Sequence, residues 1–164
     1  MNQDLIIPRN AQAREMIVSL EHEIRMVKQQ HDLPTPDCPL EHAFAPGAYG
    51  RQIFIPKDTL LVGKIHKHAH LNFLMQGTVS VATEEGPVVY TAPRMMVSKA
   101  GTKRVVYTHE DTIWATVHLT NETDLEKIEE EIIAPSYEAF DAFTDQDVVQ
   151  LLPLLSLEQQ EVSS

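Results

Sequence analysis

The chain has 164 residues, 43% of them apolar, and a formal charge of −11. That length suits one domain with short extensions, and no run of about 18 apolar residues exists to cross a membrane as a helix. Residues 1–120 hold 12 Lys/Arg against 12 Asp/Glu, whereas residues 121–164 hold 12 acids and only Lys127, so the acidity belongs to the C-terminal part. A basic footprint is absent, and nucleic acid is not an expected partner. Cys38 is the only cysteine, which excludes an intramolecular disulfide and fits a reducing, cytosolic setting. The first residues lack the basic stretch and long apolar run of a signal peptide.

Residues 1–42 read as an arm, a helix and a linker. Pro8 keeps the first residues out of a helix, and Asn10 is placed to cap one over 11–30. Ala13, Ile17, Leu20, Ile24 and Val27 keep three-to-four spacing, which gives one stripe to bury on the following domain or on a second subunit. Pro34, Pro36 and Pro39 make a non-helical linker, and residues 45–50 read as a turn into strand structure.

From 51 to 120 the texture changes to short β-rich runs divided by turn residues. Strands are expected at 51–55, 59–65, 71–75, 78–83, 88–91, 95–98, 104–108 and 112–119. Such spacing predicts an all-β sandwich or barrel, with a double-sheet jelly roll as the leading form. The barrel is bounded at 43–120, and an acidic helical extension follows at 121–164. In that extension Leu125, Ile128 and Ile132 share one side of a helix over 124–133, and Pro135 ends it. Tyr137, Phe140 and Phe143 make a second amphipathic turn. The Leu/Val cluster at 148–155 is expected to dock on the barrel or to contact a partner.

His66, His68 and His70 fall at alternate positions, which in a strand share one face. A row of imidazoles is raw material for a transition-metal site. His118 alternates with Ile113, Ala115, Val117 and Leu119 and so faces the other way. With polar faces turned inward, His66, His70 and His118 converge, and Lys64 or Arg104 lies nearby. One divalent zinc, iron, manganese or nickel ion would accept three imidazoles plus water. Cations beside such a site favour an anionic ligand, a carboxylate or a phosphate. Two alternatives stand beside the metal: a metal-free anion pocket, and histidines that only bond carbonyls or carboxylates. His109 and Glu110 are either an acid/base pair or turn chemistry.

At 63–77 and 93–104 the sequence resembles the cupin superfamily. The first cupin motif is a glycine, His-x-His, a glutamate three or four residues later, and a closing glycine. With Gly77 closing, His70 takes the glutamate slot, His66 the second histidine slot and Lys64 the first, while His68 is intervening. In the second motif Lys99-Ala-Gly101-Thr-Lys-Arg104 matches at its glycine, and Arg104 stands where the family has histidine. The sequence also resembles small cupin-like proteins of tailed bacteriophages and prophages, through phrases at 63–70, 92–104, 107–118 and 123–129, over about residues 43–133. The resemblance implies an all-β cupin-type double-stranded β-helix (jelly-roll barrel) with an N-terminal helix and a C-terminal helical extension. It implies a homo-oligomeric phage or prophage accessory protein of the host bacterial cytoplasm or the virion. In that role it is a non-enzymatic scaffold or binding module that engages a phage or host protein through 121–164. The alternative is a metal-dependent cupin enzyme, an isomerase or oxygenase acting on a small anionic substrate.

Overall fold

Strand order defines this architecture. The computed structural model describes residues 5–145 and begins with helix α1 (Ala11–Gln30). The strands that follow are β1 (Leu40–Ala45), β2 (Ala48–Ile55), β3 (Leu60–Val62), β4 (Ile65–His66), β5 (His70–Gln76) and β6 (Thr78–Thr83). Next come β7 (Gly86–Thr91), β8 (Arg94–Ser98), β9 (Val105–Thr108) and β10 (Thr112–Leu119). Helix α2 (Leu125–Ile132), strand β11 (Ile133–Ala134) and helical residues 137–145, here α3, complete the described chain.

One antiparallel sheet runs β1-β2-β10-β5-β8 and the other β3-β9-β6-β7. β1 is only a hairpin partner added at the edge of β2. Without it, two four-stranded sheets remain in which early strands interleave with late ones. That is the double-sheet jelly roll of the cupin type. The barrel is filled at one end by Leu74, Val79, Val81, Val106 and Trp114.

Strands β6 and β10 have the bounds that the alternation of the sequence leads one to expect, and so does α1, where the Asn10 side chain accepts from the Ala13 N–H at 3.1 Å. Two stretches differ. Residues 40–45, expected as the end of the linker and the approach to a turn, form a strand, and all six are exposed. The expected strand over 59–65 breaks at Gly63, whose N–H donates to the Arg104 carbonyl at 2.8 Å while the chain leaves the second sheet. Its remainder, β4, pairs with β11 instead.

Both flanking segments pack on the barrel. α1 docks through Ile17 and Arg14, which reaches Glu84 at 3.0 Å and Asp141 at 2.8 Å, while Val27 at the end of the expected stripe stays exposed. α2 lays Ile128 and Ile132 on Tyr49. Tyr137 and Phe140 of α3 close over Ile65, Ala100 and Ala134. Residues 125–145 are therefore wall, not free tail, and the 148–155 cluster lies outside the described residues. Among the described residues no helix is long and apolar enough to cross a membrane.

The outer face of the first sheet is unusual. Over β2, β10, β5 and β8 its rows, Gly50–Val117–Leu71–Val97 and Gln52–Ala115–Phe73–Met95, carry no charge, and β1 adds Ala43 to the first row and the acid Glu41 to the second at the far edge. An antiparallel sheet that faces water is ordinarily polar on that side, yet here Met95 is 67% and Val97 55% exposed.

Gly101 sits at φ +84° directly under α3, where an added Cβ would overlap the Phe140 ring and lie 2.8 Å from its Cζ. Gly101→Ala meets both an unfavourable backbone region and a filled space. We expect it to lower the unfolding free energy by about 2–3 kcal/mol in urea denaturation; an unchanged midpoint would contradict this packing.

Candidate metal centre

The inner face of the first sheet is built in rows. Phe44 lies opposite Tyr49, Tyr49 opposite His118, and His70 opposite Ser98. Val117 lies opposite Leu71, and one step along that register sets His118 beside His70. The next row holds His42, Arg51, Thr116, Asn72 and Met96, and the third Leu40, Ile53, Trp114, Leu74 and Arg94. The first two rows thus carry the imidazoles, Arg51, an amide and hydroxyls, and the third carries Leu40, Ile53, Trp114 and Leu74.

His66 joins this row from β4. Its ring centroid is 4.4 Å from that of His70 and 5.2 Å from that of His118, and the latter two are 4.4 Å apart. One ring nitrogen from each histidine lies within 4.8 Å of the others. His70 and His118 are 6% and 4% exposed.

Hydrogen bonding fixes one tautomer. His70 Nδ1 is 3.2 Å from the His68 carbonyl; a carbonyl only accepts, so Nδ1 carries the proton and Nε2 keeps its lone pair. That Nε2 is buried with no hydrogen-bond partner, and so is His66 Nδ1. Burial without a partner is costly for a polar nitrogen. Neutral imidazole lone pairs suit a first-row divalent metal, and the three residues fit one.

Electrostatics keeps the rings neutral. Desolvation, then the neighbouring rings of His70 and His118 and the charges of Arg104 and Arg51, pushes His66 down to about 2. Desolvation and Arg104 bring His70 down to about 4, against the opposing hydrogen bond to His68. His118 falls to about 3 through desolvation, His70, Arg51 and His68.

The other expected site residues go elsewhere. The chain leaves strand geometry at 67–69, so the three alternate histidines do not share one strand. His68 turns out against Phe143, edge to face at 5.6 Å. Lys64 pairs at the surface with Glu129, both more than half exposed, and does not join the cluster. Arg104 points inward and donates to Ser98 Oγ. His109 bonds Ser80 Oγ at 2.7 Å in an exposed turn remote from the three rings, which is turn chemistry. Arg51, Asn72, Ser98 and Thr116 were missed by sequence reading. Period-two counting from His70 and His118 reaches Asn72 and Thr116, whereas Arg51 and Ser98 need the register.

A cleft of about 290 Å³ leads to the cluster, walled by Tyr49, Arg51, His66, His118, Ile128 and Glu129. A larger one of about 570 Å³ runs between α1 and the proline linker and contains none of these groups.

No protein-family model matches the chain, and no curated protein sequence matches it. Solved structures resemble it in shape. Ectoine synthase from P. lautus is 15% identical with a TM-score of 0.49, over 63% of this chain and 78% of that one. A cupin-2 domain containing protein from Shewanella frigidimarina is 12% identical with a TM-score of 0.44, over 57% and 92%. An acetylacetone dioxygenase from Acinetobacter johnsonii is 15% identical with a TM-score of 0.44, over 53% and 66%. Likeness at that level leaves the fold assignment to the strand order given above.

The depressed histidines make stability depend on pH. Unfolded histidine titrates near 6.5, above the folded values of about 2, 4 and 3. Between those values the unfolded chain binds more protons, so stability is fully present above about pH 6.5 and falls as pH drops toward 4. Urea midpoints of the metal-free protein should decline across that window. His118→Asn and His70→Asn should flatten the decline, and equal slopes in variant and wild type would refute it.

Proposed function

We propose that this protein is a metal-binding member of the cupin superfamily that holds one divalent transition metal on His66, His70 and His118. The observation that carries the reading is the gathering of His66, His70 and His118, one ring nitrogen of each within 4.8 Å of the others, with two buried nitrogens, His70 Nε2 and His66 Nδ1, left without partners. When bound, such an ion supplies Lewis acidity and positions open to a small ligand. The chain's own contribution is to fix the His70 tautomer through the His68 carbonyl, to hold the rings neutral, and to wall the approach to them with α2. This supports a metal-dependent enzyme of the isomerase or oxygenase type, with zinc, iron, manganese or nickel as the candidate ions.

A second reading is favoured by the phage-like phrases of the sequence: an accessory protein, in the host cytoplasm or the virion, that uses the same site to sense a ligand or to anchor a fold. Among the described residues no free carboxylate lies beside the histidines, where a general acid or base would sit, and this speaks for it. Among the described residues Glu129 is the only acid lining the cleft, and it is held by Lys64.

Elemental analysis of untagged protein purified without chelator tests the site. We expect close to one metal per chain, lost in His66→Ala and His118→Ala and kept in His68→Ala. Metal far below one per chain, unchanged by the substitutions, would sink the site under both metal-based readings.

We also propose that copies pair through the outer face of the first sheet. Away from Glu41 at its β1 edge, that face is uncharged over β10, β5 and β8 in a chain of charge −11, so this is where two like-charged molecules meet with least repulsion. A two-fold arrangement sets the same apolar rows against each other. Sedimentation should give a dimer, converted to monomer by Met95→Glu combined with Val97→Glu, with metal content unchanged. A monomeric wild type at tens of micromolar would overturn the pairing.

A further inference from the structure

The end of the barrel that holds the histidines is rich in donors and poor in acceptors. Ser98 faces His70 in the register and is 1% exposed. Its Oγ accepts from both Asn72 Nδ2 and Arg104 Nη2. Asn72 is oriented by Trp114, whose Nε1–H only donates and reaches Asn72 Oδ1 at 2.9 Å. A hydroxyl has two acceptor lone pairs and one proton. Both lone pairs of Ser98 are taken by groups that cannot accept, so its own proton remains to be given.

Arg104 has the same imbalance. Among the described residues it forms no ion pair, and Ser98 is its one side-chain partner. Its charge reaches His66 and His70. Arg51, in the next row and on the cleft wall, likewise has no carboxylate partner among the described residues. Thr116 Oγ1, between Arg51 and Asn72 in that row, is buried with no partner. Among the described residues, three imidazoles, two guanidinium groups and two hydroxyls gather at this end, and the one carboxylate on the cleft wall, Glu129, is paired with Lys64. A desolvated cation without a counter-charge is strongly unfavourable, and a divalent ion on the imidazoles adds to the positive charge.

We infer that the barrel binds a small carboxylate ligand, held by Arg104 and the Ser98 hydroxyl beside the histidine cluster. A carboxylate is the planar acceptor that the guanidinium fork matches. A phosphate also suits a guanidinium, so the titration below sets the two anions against each other. Lys64, the other cation that the sequence offers, is spent on Glu129. This deepens the metal reading by naming the class of ligand, and it rests on that reading only for contact with the ion; the donor cluster stands without metal.

Trp114 is the only tryptophan in the chain, and the Arg104 Cζ lies 5.7 Å from its ring. Its fluorescence therefore reports on the pocket. Full-length protein, metal-free and cobalt-loaded, would be titrated with acetate, malonate and inorganic phosphate at constant ionic strength, in buffer free of carboxylates. We expect a saturable change with a carboxylate in both forms, tighter with cobalt present. Arg104→Gln should weaken it by about 10–100-fold, the loss of a charge-assisted hydrogen bond, and Ser98→Ala should weaken it by less. Should Arg104→Gln fail to fold, Ser98→Ala and the wild-type titration decide. No saturable response to either carboxylate, undiminished affinity in both variants, or a preference for phosphate would each overturn the inference. Carboxylate binding by a protein that takes up no metal would uphold it and remove the metal reading; metal uptake with no carboxylate response would do the reverse.

Discussion

The site depends on a ladder only two residues long. β4 belongs to neither sheet of the barrel; its strand partner is β11, with His66 opposite Ile133 and Ile65 opposite Ala134. On its two flanks the Lys67 N–H donates to the Ile132 carbonyl and the Gly101 N–H to the His66 carbonyl, each at 2.8 Å. Behind it, Ile65 is pinned by Ala134, Tyr137 and Phe140. So short a pairing has little strength of its own. Apolar packing by the C-terminal extension keeps it in place, and through it the extension aims one of the three imidazoles.

The barrel lumen is divided by chemistry. One end buries Leu74, Val79, Val81, Val106 and Trp114, the kind of contact that stabilises a fold at roughly 25 cal/mol per Å² of apolar surface. The other end buries imidazoles, an amide, hydroxyls and an arginine, several of them short of partners. A core optimised for stability alone would not retain such groups, and departures of this kind concentrate where a protein functions. The Trp114–Asn72–Ser98–Arg104 chain joins the halves, since its first member belongs to the apolar cluster and its last faces the histidines. Rigidity made in one half is thereby passed to the polar groups of the other.

Much of the fold was legible because period-two alternation and turn residues leave a local record. Strands β6 and β10, helix α1 with its Asn10 cap, and the side of His118 could all be read this way. Where the record fails, the reason is physical. β1 is an added edge strand exposed at every residue, so no face was marked apolar. The turn at 67–69 leaves no breaker in the sequence; it arises because β4 is drawn to β11, a contact between residues far apart in the chain. That is why His68 departs toward Phe143 while its neighbours stay. Lys64 and Arg104 looked equivalent as cations, and only tertiary structure separates a side chain paired at the surface from one turned inward.

The dependence of His66 on β11 also orders events during synthesis. Domains assemble from the N-terminus as the chain emerges, and His70 and His118 can be brought together once β5 and β10 are made. His66 cannot take its place until β11 and the helix behind it have left the ribosome. A nascent chain therefore displays at most two of the three imidazoles in working position. The complete cluster forms only once β11 and α3 have emerged and packed, so the three-imidazole geometry is a late product of folding rather than of the barrel strands alone.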